Sequence, residues 1–348
     1  MNRKRIKLTI FIVGLVFVLR GQVRSSDFAS EVVSYKGPFG STPYDDPQSV
    51  LGKPTRWVYD DWEEETYACS LVSPAYETDP NGGKLVVTIK SGAYIIIRFD
   101  HRVSDDIGNP YGIDFIVFGN CFFRSGGYLT PDTDMDQYFL TNPASVNAEP
   151  VMVSVAQNAG GPWYSFASRP YGDTAFPTNA FAWDRDANSW AAELDWLKPV
   201  DPALSVSDFS GLSVADAIEL YDGSAGGTGF DLKDLDPNDY AALAADPNTG
   251  RKWIKYIKVE YISPSEGEID GFSDVAGGGD YKHPPSDLNV DGKVDYSDLA
   301  IFGDYWLYTI TDHKNAAVIA DLYEDGVIDF RDFAVLANNW RKCTIGCN

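Results

Sequence analysis

Apolar residues recur along most of the chain in short runs closed by turn-forming residues. KLVVTIK (84–90) is β-branched and partly alternating, and AYIIIRFD (93–100) follows it across Ser91 and Gly92, a hairpin-like break. IDFIVFGNCFF (113–123), EPVMVSVAQ (149–157) and WIKYIKVEYI (253–262) come next. In the last run Trp253, Lys255 and Lys258 are interleaved with Ile254, Tyr256, Ile257, Val259 and Tyr261, close to the two-residue period of a half-buried strand. Short strands separated by Gly, Pro, Asn and Asp predict a mainly β fold, a β-sandwich or jelly roll, over 26–276. A stretch at about 167–251 has a different texture. There NSWAAELDWL (188–197), SVADAIELY (213–221) and PNDYAALAA (237–245) predict short helices, as an insertion that covers a sheet or carries function.

The pattern stops at 277–286, a Gly/Pro linker with little to pack. Beyond it, in 287–348, the chain repeats itself. Asp287, Asp298, Ala300 and Trp306 have counterparts 34 residues on in Asp321, Asp332, Ala334 and Trp340. Each copy opens with oxygen-bearing residues at alternate positions: Asp287, Asn289, Asp291, the Lys293 carbonyl, Asp295 and Asp298 in the first. The second offers Asp321, Asp325, the Val327 carbonyl, Asp329 and Asp332. Gly292 and Gly326 stand where such a loop turns sharply. A hard cation that takes six to eight oxygens suits this spacing, so each loop is predicted to hold calcium. Tyr323 sits at the third position of the second loop, where a phenol is a poor ligand, which predicts a weaker site there. Leu299, Phe302 and Trp306, and then Phe333, Leu336 and Trp340, fall at helical spacing and predict a two-helix mini-core.

These loops and the DFAVLANNW helix (332–340) resemble a type I dockerin. The resemblance implies an α-helical calcium module that docks onto a cohesin-like module of a scaffold or surface protein. Tyr296 and Ser297, and Phe330 and Arg331, follow the ninth loop position, where this family usually has small hydroxylated residues. PYDDPQSVLGKPT (43–55), IDFIVFGN (113–120), GGTGFDL (226–232) and EIDGFSDVAG (268–277) resemble exported bacterial surface proteins with a galactose-binding-like, discoidin-like sandwich. That resemblance implies fold and export rather than a substrate.

Charge and targeting narrow the function. The 348 residues carry 28 basic and 51 acidic side chains, net −23. Such a balance argues against a nucleic-acid partner and against anionic lipid. Residues 1–25 read as a signal peptide: four basic residues, then LTIFIVGLVFVL, too short for a membrane span. Its removal takes six basic residues and no acidic ones, leaving a secreted or cell-surface chain with 22 basic and 51 acidic residues, net −29. In an oxidising compartment Cys69 with Cys121, and Cys343 with Cys347, are expected as local disulfides.

Trp183, Trp190 and Trp196 are candidates for stacking on sugar rings of a polysaccharide. Asp231, Asp270 and Asp274 are candidates for a further calcium ion in the sandwich. No HExxH, GxSxG or P-loop occurs, and among 51 acidic residues a glycosidase-like carboxylate pair carries no information. A non-catalytic recognition protein is therefore the favoured reading. A dockerin-bearing polysaccharide hydrolase and a structural surface-layer component are the alternatives.

Overall fold

A computed structural model describes residues 27–60, 63–76, 86–106, 108–166, 170–246, 250–275, 286–289, 293–310, 316–323 and 326–343. The signal segment 1–25, almost all of the linker, and Asp291, Gly292, Asp325 and Cys347 lie outside the described residues.

The strands predicted at 84–90, 93–100, 113–123, 149–157 and 253–262 are present as Val87–Ile89, Tyr94–Ser104, Phe115–Gly119, Val151–Ala156 and Trp253–Tyr261, and with four further strands they form two antiparallel sheets. β1 (Glu31–Lys36), β5 (Tyr94–Ser104), β9 (Val151–Ala156), β10 (Tyr164–Ser165) and β14 (Trp253–Tyr261) make one, in the order β1-β5-β14-β9-β10. β4 (Val87–Ile89), β6 (Phe115–Gly119), β13 (Thr228–Phe230) and β15 (Gly267–Asp274) make the other, in the order β13-β6-β15-β4. Alternation sends Ile95, Ile97 and Phe99 of β5 into one core with Val153, Val155, Ile257 and Val259. Val87, Ile89, Phe115, Val117, Phe230, Ile269 and Phe272 enter it from the second sheet. The result is a β-sandwich. Phe115 stacks on Phe230 at 4.9 Å, and Phe166 meets both rings edge-on.

Ser91 and Gly92 do not close a hairpin. β4 and β5 belong to different sheets, so this turn, with Gly92 at φ +81, carries the chain across the sandwich. Ile116 and Phe118 point away from the main core and pack instead with Val58, Cys69, Ala180, Phe181 and Trp196. That second layer is built from two ribbons: β2 (Trp57–Asp60) with β3 (Glu65–Ala68), and β11 (Phe181–Asp184) with β12 (Ser189–Glu193). β7 (Phe122–Phe123) pairs with β8 (Val146–Asn147) nearby in sequence.

The helix predicted at 188–197 is instead strand β12. Asn188 takes a left-handed turn conformation (φ 50), and Trp190 lies opposite Trp183 across the ribbon with ring centroids 5.2 Å apart. Cross-strand aromatic pairing thus overrides a weak helix propensity. The other two predicted helices are present as α1 (Val214–Leu220) and α2 (Pro237–Ala242), capped by Ser213 and Asp236. Between them β13 pairs with β6 at the edge of the second sheet, so the stretch at 167–251 is woven into the sandwich.

In the C-terminal repeat α3 (Tyr296–Asp304) and α4 (Phe330–Asn339) enclose a small core of Leu288, Phe302, Ala317, Ala320, Ile328 and Leu336. Leu299, Trp306 and Trp340 pack against it.

Candidate functional site

Each C-terminal loop ends where its helix begins. Asp295 is the N-cap of α3 and accepts from Ser297 N at 2.8 Å. Asp298, fully buried, accepts from Asp295 N (2.7 Å), Leu288 N (2.6 Å) and Asn289 N (3.2 Å). One carboxylate therefore fastens the start of the loop to the start of the helix. The second copy repeats the device. Asp329 caps α4, and buried Asp332 accepts from Asp329 N (2.8 Å) and Tyr323 N (2.7 Å). Asp321 accepts from Gly326 N at 3.0 Å, with Gly326 at φ +82, the turn predicted for that position.

Burial pushes the Asp298 carboxyl up, and the charge of Asp287 adds to this. Asp287 and Asp298 in the first copy, and Asp321 and Asp332 in the second, are hard oxygen donors held at the two ends of their loops, which fits a divalent cation of the calcium type. Lys293 and Val327, whose carbonyls are the expected seventh-position ligands, are pinned by β-bridges to Cys343 and Thr309. The Tyr323 side chain is exposed under the Arg331 guanidinium, 5.6 Å from the ring centre, rather than turned into the loop. The two halves interlock through aromatics. Tyr296 meets Trp340 edge-on at 5.2 Å, and Phe330 meets Trp306 at 5.0 Å. Tyr296 and Phe330 nevertheless stay 78% and 75% exposed.

The sandwich distributes the other candidate residues differently from expectation. Asp231, Asp270 and Asp274 do not share a site. Asp270 accepts from Thr55 N and Oγ1 at 2.7 and 2.8 Å, while Asp274 lies 2.8 Å from His101 Nε2. Asp231 instead joins Asp105 and Asp114, which the sequence reading missed, with carboxylate oxygens within 4.8 Å of one another. The available signal was an aspartate inside the otherwise apolar run IDFIVFGN. This cluster has its own counter-charge. Asp105 accepts from Lys233 Nζ at 2.6 Å and from the Tyr240 hydroxyl, and Asp114 accepts from Leu232 N, Asp106 N and Asn109 Nδ2. Burial pushes the Asp114 carboxyl up to about 8.

Trp196 is not open to a sugar. It is buried, packs edge-on against Phe118 at 5.5 Å and donates Nε1 to Glu193. Trp183 and Trp190 are half-buried and pack against the cluster around α1. The three rings form no common exposed platform because the ribbon needs them for its own packing.

The expected Cys69–Cys121 disulfide is not formed: both are free, buried thiols. The Cys121 thiol is engaged by Asp173, and burial raises it well above its ordinary value. Cys343 is disulfide-bonded. Alkylation of the denatured, unreduced protein should therefore label Cys69 and Cys121 and spare Cys343. Peptide mass spectrometry finding Cys69 and Cys121 unlabelled and linked would contradict this arrangement.

Residues 285–339 match the family described as Dockerin type I domain. No curated protein and no solved structure matches the chain. Among the described residues no helix is long and apolar enough to cross a membrane.

Proposed function

We propose that this chain is an exported component of an extracellular or cell-surface assembly, whose sandwich is held on a scaffold by the calcium-loaded C-terminal module. The observation that carries the reading is the pair of acidic loops closed onto α3 and α4 by Asp298 and Asp332, inside the segment that matches the dockerin family. In this reading the sandwich is a recognition domain without catalysis, and polysaccharide is the ligand class to test first. The docking surface includes Tyr296 and Phe330, large exposed rings fixed in place by Trp340 and Trp306. Rigid, exposed aromatics are favoured anchors because little side-chain freedom is lost on binding.

The full chain, passed over a panel of immobilised cohesin modules, should be retained in calcium and released by a chelator. Tyr296→Ser combined with Phe330→Ser should weaken retention at least tenfold while the calcium-dependent helical signal persists. No retention by any cohesin, with the module folded, would remove the scaffold reading. In parallel, insoluble polysaccharides should retain the chain without release of reducing ends; release would establish the hydrolase alternative.

A further inference from the structure

The two halves of the C-terminal module are tied to each other crosswise. The chain leaving α3 lies against the second loop. There Leu307 N donates to Ile328 O at 2.8 Å, Ile328 N donates to Tyr308 O at 2.9 Å, and Thr309 bridges Val327. The chain leaving α4 lies against the first loop in the same way. Arg341 N donates to Val294 O and Val294 N to Lys342 O, both at 2.9 Å, and Cys343 bridges Lys293. Leu307 and Arg341, which begin the two short strands, share a left-handed φ of 62. Each loop thus has its seventh-position residue, Val327 or Lys293, held in place by the other half of the module.

The two strands are anchored differently. Past Ile310 the chain returns to the small core through Ala317 and Ala320, so the strand on the second loop is held from both sides. Beyond Trp340 no described residue joins that core. Arg341 is exposed, and Lys342 and Cys343 are half-buried. What holds this strand is polar and covalent. Asn339, which is buried, accepts from Lys342 Nζ at 2.6 Å and donates Nδ2 to Ser286 Oγ at 3.0 Å, beside Asp287 at the head of the first loop. Tyr305 and Ala320 stand at the corresponding positions of the other half, and alanine offers no such bond. Cys343 is disulfide-bonded, and with Cys69 and Cys121 free its partner in the chain is Cys347. CTIGC (343–347) then closes a small ring, which removes conformations that an open segment would keep.

We propose that this disulfide sets the calcium affinity of the first loop: it fixes the strand at 341–343, the strand fixes the Lys293 carbonyl, and the loop reaches its full affinity only once the bond has formed. This regulation presupposes the calcium-loaded module proposed above. Calcium binds well where its oxygens are already in place, and a backbone carbonyl is aimed by the hydrogen bonds of its neighbours. When the strand frays, both backbone bonds of Val294 are lost and the Lys293 carbonyl turns freely. The second loop escapes this, because its strand carries no cysteine. The bond forms by exchange with an oxidising disulfide: the Cys343 and Cys347 thiols give up two electrons and two protons, and the oxidant leaves as two thiols. A reducing compartment therefore keeps the first loop weak, and an oxidising one completes it.

The test uses the full chain in three forms: oxidised, reduced with dithiothreitol, and Cys343→Ser combined with Cys347→Ser. The reductant takes the disulfide to two thiols and closes into its own cyclic disulfide. Isothermal titration with calcium should show the tighter site weakened by roughly fivefold or more in the reduced and serine forms, and reoxidation should restore it. At a calcium concentration that saturates the oxidised chain, amide exchange followed by NMR should quicken by roughly fivefold or more at Val294 and hold at Ile328. If the serine variant fails to fold, the reduced and reoxidised parent decides. Calcium affinity and Val294 exchange that ignore the disulfide overturn this proposal alone and leave the calcium-dependent module standing. Equal quickening at Val294 and Ile328 also overturns it, since that marks a general loosening. No calcium uptake by any form overturns the module reading together with it.

Discussion

Chelation of calcium will unfold α3 and α4 and leave the sandwich standing. The C-terminal core is Leu288, Phe302, Ala317, Ala320, Ile328 and Leu336, of which two are alanines. So small a core cannot offset the chain entropy of its own folding without a staple. The helices are 9 and 10 residues long, below the length at which an isolated helix is stable in water. What the loops contribute without an ion is mutual repulsion among carboxylates, several of them buried. In such a module the free energy of binding the ion is the free energy of folding. Circular dichroism should therefore lose the α3 and α4 helical signal in excess chelator, with a melting transition of the sandwich remaining. Asp298→Ala should do the same at moderate calcium. It removes a ligand and orphans three backbone N–H groups, a loss on the order of 3 kcal/mol. In the second loop Tyr323→Asn, which supplies the missing side-chain oxygen, should tighten calcium by roughly tenfold, about 1.4 kcal/mol. A helical signal and melting profile indifferent to chelation would end the argument, and with it the calcium dependence of docking.

The dockerin match was readable from sequence because its signal is local. Acidic residues at alternate loop positions, a glycine at the turn and the cap of the next helix all fall within a dozen residues, and the pattern repeats 34 residues on. The strands were readable for the same reason, although β14 alternates only beyond the irregularity between Ile254 and Tyr256, where Ile257 and Val259 enter the core between the sheets and Tyr256 packs on the other face. What sequence could not show is set by distant contacts. NSWAAELDWL (188–197) has helical composition, but the left-handed Asn188 and the Trp183–Trp190 pair make it a ribbon. Asp231 was expected to share an ion with Asp270 and Asp274, yet it lies with Asp105 and Asp114, more than a hundred residues earlier in the sequence. The cysteines were paired on compartment alone, and an unforeseen Asp173 occupies the Cys121 thiol.

Raising the pH from 6 to 9.5 will remove a cross-sheet lock centred on His101. In β5 this residue follows Ile95, Ile97 and Phe99 on the inward face. Its Nδ1 lies 2.8 Å from Asp100 and its Nε2 2.8 Å from Asp274, at the end of β15 in the opposite sheet. Burial disfavours the charged imidazole, but hydrogen bonds to the two carboxylates outweigh it and push His101 up to about 9. The unfolded value is about 6.5. Below that value both states are protonated and the lock contributes fully. Between 6.5 and 9 the folded protein holds a proton that the unfolded chain releases, so stability falls as pH rises. The shift alone corresponds to about 3 kcal/mol at 1.36 kcal/mol per unit. Burial of the Asp274 carboxylate works against this, which leaves a net effect on the order of 2 kcal/mol. Other raised carboxyls, Asp114 and Glu149 among them, also lower stability as pH rises, so the measurement must be differential. His101→Gln should be destabilised relative to the parent at pH 6, with the gap in urea midpoints closing by pH 9.5. The His101 ring resonance, assigned by its absence in that variant, should titrate near 9. Parallel stability curves for parent and variant across this window would show that the imidazole is held neutral and that the two sheets are joined here by hydrogen bonds alone.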